Sequence, residues 1–305
     1  MTGIIILNYK KYDVTINCVE SVLKTAGNLD YKIYLVDNGS GNESVSVLSD
    51  KYGGFNQIEI IPLEENTGYA AGNNEGLKKA AKDGCSTAII ANSDIVFYED
   101  TIKILVNDIE NGAFIAAPKL VFPNGKTQNS VKQRPFSFLE YIFYETYLRN
   151  FAPKSKLQKV RLLPDKPSLV YWVSGAVFAV NVADFKREGF FDPFTFLYFE
   201  EYILAEKAKK SGSKILFDPN ACAIHCHGAS SGGNANLFTR TENLRSEMYF
   251  LNRYMHWSKI KIKAVRFVRC LEVLFTFSKE GKKKEAKRFI KQSKDLLKKE
   301  LSHEN

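Results

Sequence analysis

Short apolar runs alternate with amphipathic stretches along the first 120 residues. The runs predict strands at GIIILN, YKIYLVDN, QIEIIPL, STAIIANSD and FIAAP, and the stretches between them predict helices at residues 14–25, 44–52, 70–82 and 100–110. Strands separated by helices favour right-handed crossovers and a mostly parallel sheet with helices on both faces. The pattern therefore predicts an α/β fold with half of a Rossmann-like, nucleotide-binding architecture.

Residues after 120 do not continue this regular alternation of apolar runs and amphipathic stretches. Asn124-Gly125 lies between apolar runs within residues 120–128, which is typical of a hairpin, and the basic residues 150–167 contain three prolines, which predicts a mobile loop. We expect one long buried strand at LVYWVSGAVFAV, a helix at residues 198–210, a strand at KILFDP, and a strand running into a Gly/Ser loop at ACAIHCHGASSGG. From Arg240 to the end the pattern is helical.

Composition and charge narrow the class of protein. With 45% hydrophobic and 13% aromatic residues, the 305-residue chain is too apolar to be disordered. Residues 259–305 hold 15 Lys and Arg against 6 Asp and Glu, and this excess accounts for the whole net charge of +9. We therefore expect a globular protein with a basic tail and no nucleic-acid-binding role.

The five cysteines and the first residues bear on cellular location. The cysteines are scattered and odd in number, and the apolar run at residues 4–7 is far shorter than that of a signal peptide. No stretch approaches the ~20 apolar residues of a membrane span. These features predict a protein of the reducing cytosol that does not cross a bilayer.

Four consecutive predicted strands end in small polar or acidic residues. Ligands of open parallel sheets bind outside the carboxyl ends of the strands. Each loop alone is also explained by turns and helix caps, which select the same residues, but the set of four favours a polar ligand site. The four segments are Asn8-Tyr9, Asp37-Asn38-Gly39-Ser40, Glu64-Glu65-Asn66-Thr67-Gly68 and Asn92-Ser93-Asp94.

Seven motifs follow one another within residues 4–232: Asn8-Tyr9, VDNGS, ENTGYAAGNNEG, NSDI, WVSGAVFAV, FDPFTFLYFEE and HCHGAS. In this order they resemble the motifs of the inverting family 2 glycosyltransferases of the GT-A fold, and in particular of their rhamnosyltransferase-like members in bacterial surface-polysaccharide pathways. The resemblance implies a glycosyltransferase domain over residues 1–240, with a nucleotide-sugar-binding half at 1–120, an acceptor-binding half at 121–240, and a basic helical region at 241–305.

The resemblance implies transfer of a sugar from a dTDP-rhamnose or UDP-hexose donor to a glycan or lipid-linked glycan acceptor. Such a site must stabilise the charge of the leaving diphosphate and remove one proton from the acceptor hydroxyl. Asp94 stands where the family binds a divalent cation, and oxygen ligands suit Mg²⁺ or Mn²⁺. Because Asn92 replaces the first acid of the familiar Asp-x-Asp, one carboxylate remains, and His225 is expected to complete the metal site.

The resemblance also implies a donor site. Asp37 is expected to hydrogen-bond the pyrimidine base, with Asn8 and Tyr9 beside it. Gly68, Gly72 and Gly76 recur every four residues, a spacing that equally indicates close helix packing or backbone approach to phosphate. The residues implied around the nucleotide sugar are Asn8, Tyr9, Asp37, Asn38, Asn66, Gly68, Tyr69, Asn73, Asn92 and Ser93.

Glu200 and Glu201 are the candidate acid–base pair. Adjacent acids on a helix point about 100° apart, so that one can face a cleft while the other faces a structural partner. In the resemblance Glu201 replaces the aspartate of the usual Glu-Asp pair and is expected to be the general base, with Glu200 assisting it. Flanking aromatic residues predict burial, which raises the pKa of a carboxyl group. The chain departs from the family at Ile203, usually an acid, and at Lys207, usually an arginine.

Two further features allow more than one interpretation. Trp172 and Gly175 fall where the family shapes the acceptor pocket, although a Trp in so apolar a run is equally typical of a core. Four residues of zinc-binding type lie close together, at Cys222, His225, Cys226 and His227. The second, distant pair of a structural zinc site is missing, which disfavours zinc.

The basic tail carries an amphipathic pattern over residues 249–277. A basic helix with an apolar face is typical of an anionic membrane surface, where each Lys or Arg adds about 1 kcal/mol, and equally of a helix packed on the catalytic domain. The membrane alternative predicts a cytoplasmic enzyme that is peripheral on the inner face of the plasma membrane; the oligomeric state stays open. The apolar positions are Ile260, Ile262, Val265, Val268, Leu271 and Phe275.

Two rival functions follow from the same residues. A sugar-phosphate nucleotidyltransferase would carry a Gly-rich, basic loop after the first strand, but the segment NYKKY contains no glycine. A non-catalytic scaffold of a polysaccharide complex would bind a nucleotide sugar or glycan without turnover, and the departures at Glu201, Ile203 and Lys207 are consistent with it.

Overall fold

The computed structural model describes residues 1–151, 159–226 and 236–302. Its first part contains the predicted elements in the predicted order, and each helix begins within two residues of its predicted start. The elements are β1 (Thr2–Asn8), α1 (Tyr12–Thr25), β2 (Tyr31–Asp37), α2 (Ser44–Tyr52), β3 (Ile58–Pro62), α3 (Gly68–Lys82), β4 (Thr87–Asn92), β5 (Ile95–Phe97), α4 (Thr101–Glu110) and β6 (Ile115–Val121).

The second part begins with the predicted hairpin turn, in which Phe122 N–H donates to the Lys126 carbonyl at 2.8 Å and Gly125 has a φ of +78°. The loop predicted at residues 150–167 lies partly outside the described residues, and the Gly/Ser loop predicted after residue 226 lies wholly outside them. The elements are β7 (Val131–Lys132), α5 (Phe138–Tyr144), a 3₁₀ helix (Tyr147–Phe151), β8 (Ser168–Leu169), β9 (Trp172–Val173), β10 (Val177–Asn181), α6 (Val182–Arg187), α7 (Glu200–Ser211), β11 (Ile215–His225), α8 (Leu237–Arg253), α9 (Lys259–Lys279) and α10 (Lys283–Ser302).

The single long strand predicted at LVYWVSGAVFAV is wrong. The segment forms three short strands, because the chain turns at Gly175 and passes from the small β7–β9 sheet into the main sheet. Conversely, the strands predicted at KILFDP and ACAIHC are one strand, β11, whose register shifts between Asp218 and Cys222. An apolar run shows that a segment is buried but not where it turns.

The main sheet has the order β3-β2-β1-β4-β10-β6-β11-β5, with β8 added on β11. Strands β3, β2, β1 and β4 are parallel to one another, and β10 runs antiparallel between β4 and β6. The α/β prediction is confirmed. The carboxyl ends of β1, β2, β3 and β4 therefore meet at one edge of the sheet.

Alternate residues of β1 enter two separate cores, one on each face of the sheet. Ile4 and Ile6 pack with α1, α2 and α4, whereas Ile5 packs with α3, α6 and α7. This alternation is the period of two expected for a strand, and it confirms that helices cover both faces.

Gly76 lets α3 lie close to the sheet. A Cβ atom there would be 2.7 Å from Ile5 Cγ2, and both Ile5 and Val36 beneath it are fully buried. The packing interpretation of the glycine spacing therefore holds at this position. We expect Gly76→Ala to lower the free energy of unfolding by about 1–3 kcal/mol through overpacking, although alanine favours helices.

Urea denaturation followed by circular dichroism measures this change. Gly54→Ala is the matched control, because its Cβ would meet nothing within 4 Å, and its effect should stay within about 0.5 kcal/mol. Equal stability of Gly76→Ala and the unchanged chain would contradict the packing assignment.

Helices α8, α9 and α10 form a third core with α5 and with the Ile203 face of α7. A fully buried carboxylate, Glu247, joins them: it accepts hydrogen bonds from Arg269 on α9, at 2.8 and 2.9 Å, and from Tyr141 on α5, at 2.6 Å.

The amphipathic pattern at residues 249–277 does not form one helix, since α8 ends at Arg253 and α9 begins at Lys259. The boundary at residue 240 falls inside α8, and the division into domains stays a prediction. Of the helices described, none combines the length and apolarity that spanning a bilayer requires.

Candidate active site

Asp37, at the end of β2, is the centre of a buried hydrogen-bond network. Its Oδ1 accepts from Asn8 Nδ2 and Ser40 Oγ, both at 2.6 Å, and its Oδ2 accepts from Ser40 N–H at 3.0 Å. Asn8 is fully buried, and its Oδ1 accepts from Thr15 Oγ1 at 2.6 Å. The Asn8 amide thus binds Asp37 at one end and Thr15 at the other, whereas the neighbouring Tyr9 is exposed.

Asn38 ties the loop after β2 to the loop after β3. Its Nδ2 donates to Asn66 Oδ1 at 3.0 Å and to the Gly68 carbonyl at 3.1 Å, and its Oδ1 accepts from Thr67 N–H at 3.0 Å. A hydrogen bond from the Asn66 side chain to the Tyr9 oxygen lowers the pKa of the Tyr9 hydroxyl. Residues from the ends of three neighbouring strands therefore form one connected surface, as their positions in the sequence predict.

Tyr69 and Asn73 extend this surface along α3. Tyr69 Oη donates to the Gly175 carbonyl at 2.7 Å, and Asn73 Nδ2 donates to the Tyr69 carbonyl at 2.9 Å. Asn73 is fully buried, and its Oδ1 meets no hydrogen-bond donor among the described residues. A buried acceptor left open in this way is suited to a ligand donor.

Asp94 and His225 face each other across the junction of β4, β5 and β11. Asp94 Oδ1 is 3.5 Å from His225 Nε2, and both residues are buried. Gln128 Nε2 donates to the carbonyls of His225, at 2.9 Å, and Val121, at 3.3 Å, so that Gln128 Oε1 is directed at His225 Nδ1, 3.1 Å away. With Gln128 Oε1 as the acceptor, Nδ1 is the ring nitrogen that donates, and Nε2 is the ring nitrogen on the side of Asp94.

This donor set fits a hard divalent cation. A carboxylate oxygen and an imidazole nitrogen lie side by side, and the amide of Gln128 orients the ring in the way that outer-shell partners orient metal-ligating histidines. No three His, Cys, Asp or Glu side chains converge in the described part of the chain, so the zinc alternative gains no support, and His227 lies outside the described residues. The remaining ligands of such a cation would come from substrate phosphates and water.

Glu200 and Glu201 begin α7 behind a constrained loop. The two preceding residues, Tyr198 and Phe199, have φ values of 69° and 70°, a region that L residues rarely adopt. The loop is fixed on one side by Tyr69 N–H, which donates to the Phe196 carbonyl at 2.8 Å. A conformation of this kind persists only when its surroundings hold it, and it is frequent near active sites.

Both carboxyl groups are desolvated. Glu200 is 6% exposed, and within the described part of the chain neither Glu200 Oε2 nor Glu201 Oε2 has a hydrogen-bond partner. Burial raises the pKa of Glu200 well above its usual value, and the charge of Glu201 raises it further. Burial also raises the pKa of Glu201, but the Lys132 ammonium opposes this shift.

Lys132 is a buried cation next to this pair. Its Nζ forms an ion pair with Glu145 Oε1 at 2.9 Å and contacts the Tyr202 hydroxyl, and it lies 4.6 Å from the centre of the Trp172 ring. Arg161 also pairs with Glu145 Oε1, at 2.8 Å. Lys132 and Arg161 thus both pair with Glu145. The Lys132 charge lowers the pKa of Glu201, whereas burial and the Glu201 charge raise the pKa of Glu200, which makes Glu200 the better candidate for the protonated partner.

The turn at Gly175 connects the acid pair to the Asn92-Ser93-Asp94 segment. A Cβ on Gly175 would be 3.8 Å from Glu201 Oε2, and the next carbonyl along the chain, that of Ala176, accepts from Asn92 N–H at 2.8 Å. Trp172 lies on the adjoining strand, and its buried Nε1 meets no acceptor among the described residues. The residues implied for metal, donor, base and acceptor therefore surround one region at the carboxyl edge of the sheet.

Two side chains of this region were not singled out from the sequence. Gln128 follows a hairpin, and Lys132 stands in the polar segment SVKQR, where nothing in the local pattern distinguishes it from a solvated lysine. A buried position for Lys132 follows only from the pairing of β7 with β9, which lays it against Trp172.

The chain was matched by the family model described as "Glycosyl transferase family 2", over residues 3–166, more than half of its length. It is also similar to an N-acetylglucosaminyl-diphospho-decaprenol L-rhamnosyltransferase of Mycobacterium tuberculosis. The two are 20% identical over 254 residues, which cover 79% of this chain and 81% of the relative.

Solved structures share the fold. GalNAc-T7 with UDP, GalNAc and Mn²⁺ has a TM-score of 0.62 at 17% identity; the match covers 88% of this chain and 55% of that one, so this chain spans about half the length of GalNAc-T7. Staphylococcus aureus TarS 1–349 with UDP-GlcNAc has a TM-score of 0.53 at 13% identity, with 96% and 91% covered. The mannosyltransferase PcManGT of Pyrobaculum calidifontis with GDP-Man and Mn²⁺ has a TM-score of 0.56 at 12% identity, with 100% and 76% covered.

Proposed function

The chain belongs to glycosyl transferase family 2 and is a glycosyltransferase, and from this premise we propose that it is an inverting, metal-assisted enzyme of bacterial surface-polysaccharide synthesis. The proposed donor is dTDP-rhamnose or a UDP-hexose, and the proposed acceptor is a glycan or lipid-linked glycan. The observation that carries the proposal is the Gly175 turn, which brings Glu201 and the Asn92-Ser93-Asp94 segment to one place.

The relatives support the choice of substrates. The mycobacterial relative is named for rhamnose and for a diphospho-decaprenol acceptor, and two of the structural neighbours hold UDP or UDP-GlcNAc. The buried Asp37 carboxylate, held by Asn8 and Ser40, offers an acceptor for the N3 proton that uracil and thymine share. This chemistry favours dTDP or UDP over CDP, since cytosine has no proton at N3.

In the proposed reaction Glu201 is the general base. It takes the proton of the acceptor hydroxyl while that oxygen forms a bond to the anomeric carbon, and the bond from this carbon to the diphosphate breaks with its electron pair on the nucleotide. Attack opposite the leaving group inverts the configuration. Asp94 and His225 would hold a divalent cation, which when bound offsets the negative charge of the diphosphate. Glu200, as the neutral partner, keeps a second negative charge out of the site.

Lys132 sets the protonation of the proposed base. Because burial raises the pKa of Glu201 and the Lys132 charge lowers it, activity should fall as the pH drops through the Glu201 pKa. Replacement by the similarly long Met in Lys132→Met removes the charge, so we expect this acidic limb of the kcat profile to move to higher pH, with turnover recovering at high pH. The measurement is the pH profile of transfer.

Arg134→Met is the matched control, because Arg134 is an exposed cation two residues away that pairs with Glu140 at 2.6 Å. Its profile should coincide with that of the unchanged enzyme. A uniform loss of kcat at all pH values in folded Lys132→Met would assign Lys132 a structural role instead.

The departures from the family pattern have structural explanations. Ile203 is fully buried in the core shared by α7 and the C-terminal helices, and Lys207 Nζ donates to the carbonyls of Glu188, at 2.8 Å, and Phe190, at 3.1 Å. Neither substitution therefore argues for the non-catalytic scaffold. The nucleotidyltransferase alternative requires a Gly-rich loop after β1. The structure gives it no support, because α1 begins at Tyr12, four residues after the end of β1, and no glycine lies between them.

Thermal stabilisation of the full-length protein by dTDP, UDP, GDP and CDP tests the donor assignment. We expect dTDP or UDP to raise the melting temperature most and Mn²⁺ to enlarge the effect, because a ligand that binds only the folded state stabilises it. Equal shifts with all four nucleotides, or none with any, would contradict the proposed donor site. We also propose that the enzyme works in the cytoplasm, at the inner face of the plasma membrane.

A further inference from the structure

Helix α9 has two apolar faces. One is buried in the core that α9 shares with α8 and α10, through Ile262, Val265, Val273 and Phe277. The other is solvent-exposed and repeats at positions 260, 267, 271 and 275, which lie within about 80° of one another on a helix. The exposed fractions there are 79% for Ile260, 58% for Phe267, 48% for Leu271 and 44% for Phe275. Packing on the domain therefore covers only one of the two apolar faces of α9.

Helix α5 contacts α9 and carries two further exposed apolar side chains. Leu139 and Phe143, one helical turn apart, are 65% and 44% exposed. The segment after α5 contacts α9 through the Tyr147 and Phe275 rings, whose centres are 5.1 Å apart, and Lys261 Nζ lies 5.6 Å from the centre of the Phe138 ring. We call this surface the docking face; it consists of Leu139, Phe143, Ile260, Phe267, Leu271 and Phe275.

A groove of about 850 Å³ opens along this face, between α9 and the 3₁₀ helix. Its walls are apolar, and Lys279 and Lys283 stand at one end. Monomeric soluble proteins rarely expose a large contiguous apolar surface, so a surface of this kind marks an interaction site. The apolar wall residues are Tyr147, Leu148, Val268, Leu271, Leu274 and Phe275.

Lysines lie at both ends of the α9 part of the docking face, and the nearby acids Glu140 and Glu280 are paired with Arg134 and Lys282. Lys261 and Lys263 flank its amino-terminal end, and Lys279 and Lys283 flank its carboxyl-terminal end, all of them exposed. Glu272, an acid in the middle of α9, is turned away and pairs with Arg240 and Arg269, both at 3.0 Å. Protein–protein interfaces are depleted in lysine, whereas helices that lie in a bilayer interface combine lysines with bulky apolar side chains.

We propose that the docking face binds the surface of an anionic lipid bilayer, with its apolar side chains among the acyl chains, its lysines at the headgroups, and a lipid chain in the groove. The proposal that the protein binds membranes depends only on the docking face. Its use, which is to bring the active site to a lipid-linked acceptor, rests on the proposed function. The sequence allowed either a membrane-surface helix or a helix packed on the catalytic domain. In this proposal α9 is both, because it packs on the domain with one face and binds the membrane with the other.

The test is co-sedimentation of the full-length protein with vesicles of phosphatidylcholine, with and without phosphatidylglycerol. We expect binding to the anionic vesicles that weakens as salt is added, and little binding to the neutral ones. In the double variant Phe267→Gln, Leu271→Gln, both exposed positions, the partition coefficient onto anionic vesicles should fall at least about tenfold, since two apolar side chains leave the hydrocarbon.

Phe55→Gln is the control for loss of an exposed aromatic ring elsewhere, because Phe55 is 42% exposed and follows α2 in the other half of the chain; it should bind like the unchanged protein. Equal binding of the double variant and the unchanged protein, or no binding of the unchanged protein at low salt, would overturn the proposal. So would a concentration-dependent dimer in sedimentation that the double variant abolishes, because the face would then belong to a second copy.

A soluble acceptor without a lipid separates this proposal from the proposed function. The double variant should transfer sugar to it as fast as the unchanged enzyme, because Phe267 and Leu271 are exposed side chains of α9 that take no part in the contacts around Glu201 and Asp94. Vesicle binding with no transfer to any acceptor would refute the proposed function and support the docking face. Transfer without vesicle binding would support the proposed function and refute the docking face.

Discussion

Glu201→Gln should reduce sugar transfer by about a hundredfold or more while the affinity for the nucleotide stays nearly unchanged. The amide keeps the shape of the side chain beside Gly175 but does not accept a proton at neutral pH. Donor binding depends on the opposite part of the site, around Asp37 and Asn38, which this substitution does not touch. The measurement combines turnover of donor and acceptor with calorimetric titration of the nucleotide diphosphate.

Glu200→Gln and Glu206→Gln are the comparisons. Glu200 already carries a proton in our account, so an amide resembles its working state and the loss should be much smaller. Glu206 lies on the same helix and bonds to Tyr171, at 2.6 Å, rather than facing the site, so it controls for a lost acid on α7. Unchanged turnover in Glu201→Gln would remove this residue from the mechanism, and a large loss only in Glu200→Gln would exchange the two roles.

Asp94→Ala should abolish the tightening of nucleotide binding by Mn²⁺ and reduce transfer by about a hundredfold or more. Asp94 is the carboxylate that faces His225 at 3.5 Å, so its loss removes the anionic ligand of the proposed cation. Calorimetric titration of UDP or dTDP with and without Mn²⁺ measures the effect without any need for turnover. In the variant the two titrations should coincide.

Gln128→Leu extends this test to the orientation of the histidine. Without the amide that faces Nδ1, the ring loses its fixed orientation, and metal affinity should fall about 10–100-fold. Asp50→Ala, at the exposed end of α2, is the control for a lost surface carboxylate. Full Mn²⁺ dependence in Asp94→Ala would refute the assignment of Asp94.

The edge of the sheet could be predicted because parallel strands bring their carboxyl ends together. Once Asp37, Asn66 and Asp94 were assigned to three strand ends, their proximity followed from topology alone. Tyr69 and Asn73 were assigned to the site by the family resemblance, and the structure places both on the first turns of α3, which begins at Gly68 rather than at residue 70. Sequence order and local period carry this information, and no side-chain detail is needed.

Gln128 and Lys132 could not be predicted, because their partners are distant in sequence. Gln128 lies 97 positions from His225, and Lys132 lies 70 from Tyr202. They meet through short elements, two-residue strands and a hairpin, that leave no periodic pattern. The turn at Gly175, hidden in an apolar run, is the same kind of feature.

Helix α9 shows the limit of an amphipathic pattern. The sequence marks Ile260, Ile262, Val265 and Leu271 alike as apolar, yet Ile262 and Val265 are fully buried while Ile260 and Leu271 are exposed. A helix with apolar residues on two sides does not show from its sequence which side the protein covers. Only the packing of α8 and α10 decides it.

The most direct test of the central claim is the reaction itself. The full-length protein is incubated with Mn²⁺, a synthetic N-acetylglucosaminyl-diphospho-lipid, and dTDP-rhamnose or a UDP-hexose, and the products are identified by mass spectrometry and by the anomeric signals in NMR. We predict one sugar added to the acceptor with inverted anomeric configuration, and no product with Glu201→Gln. Tight, Mn²⁺-dependent nucleotide binding without any transfer or donor cleavage would contradict the account and point to the non-catalytic scaffold.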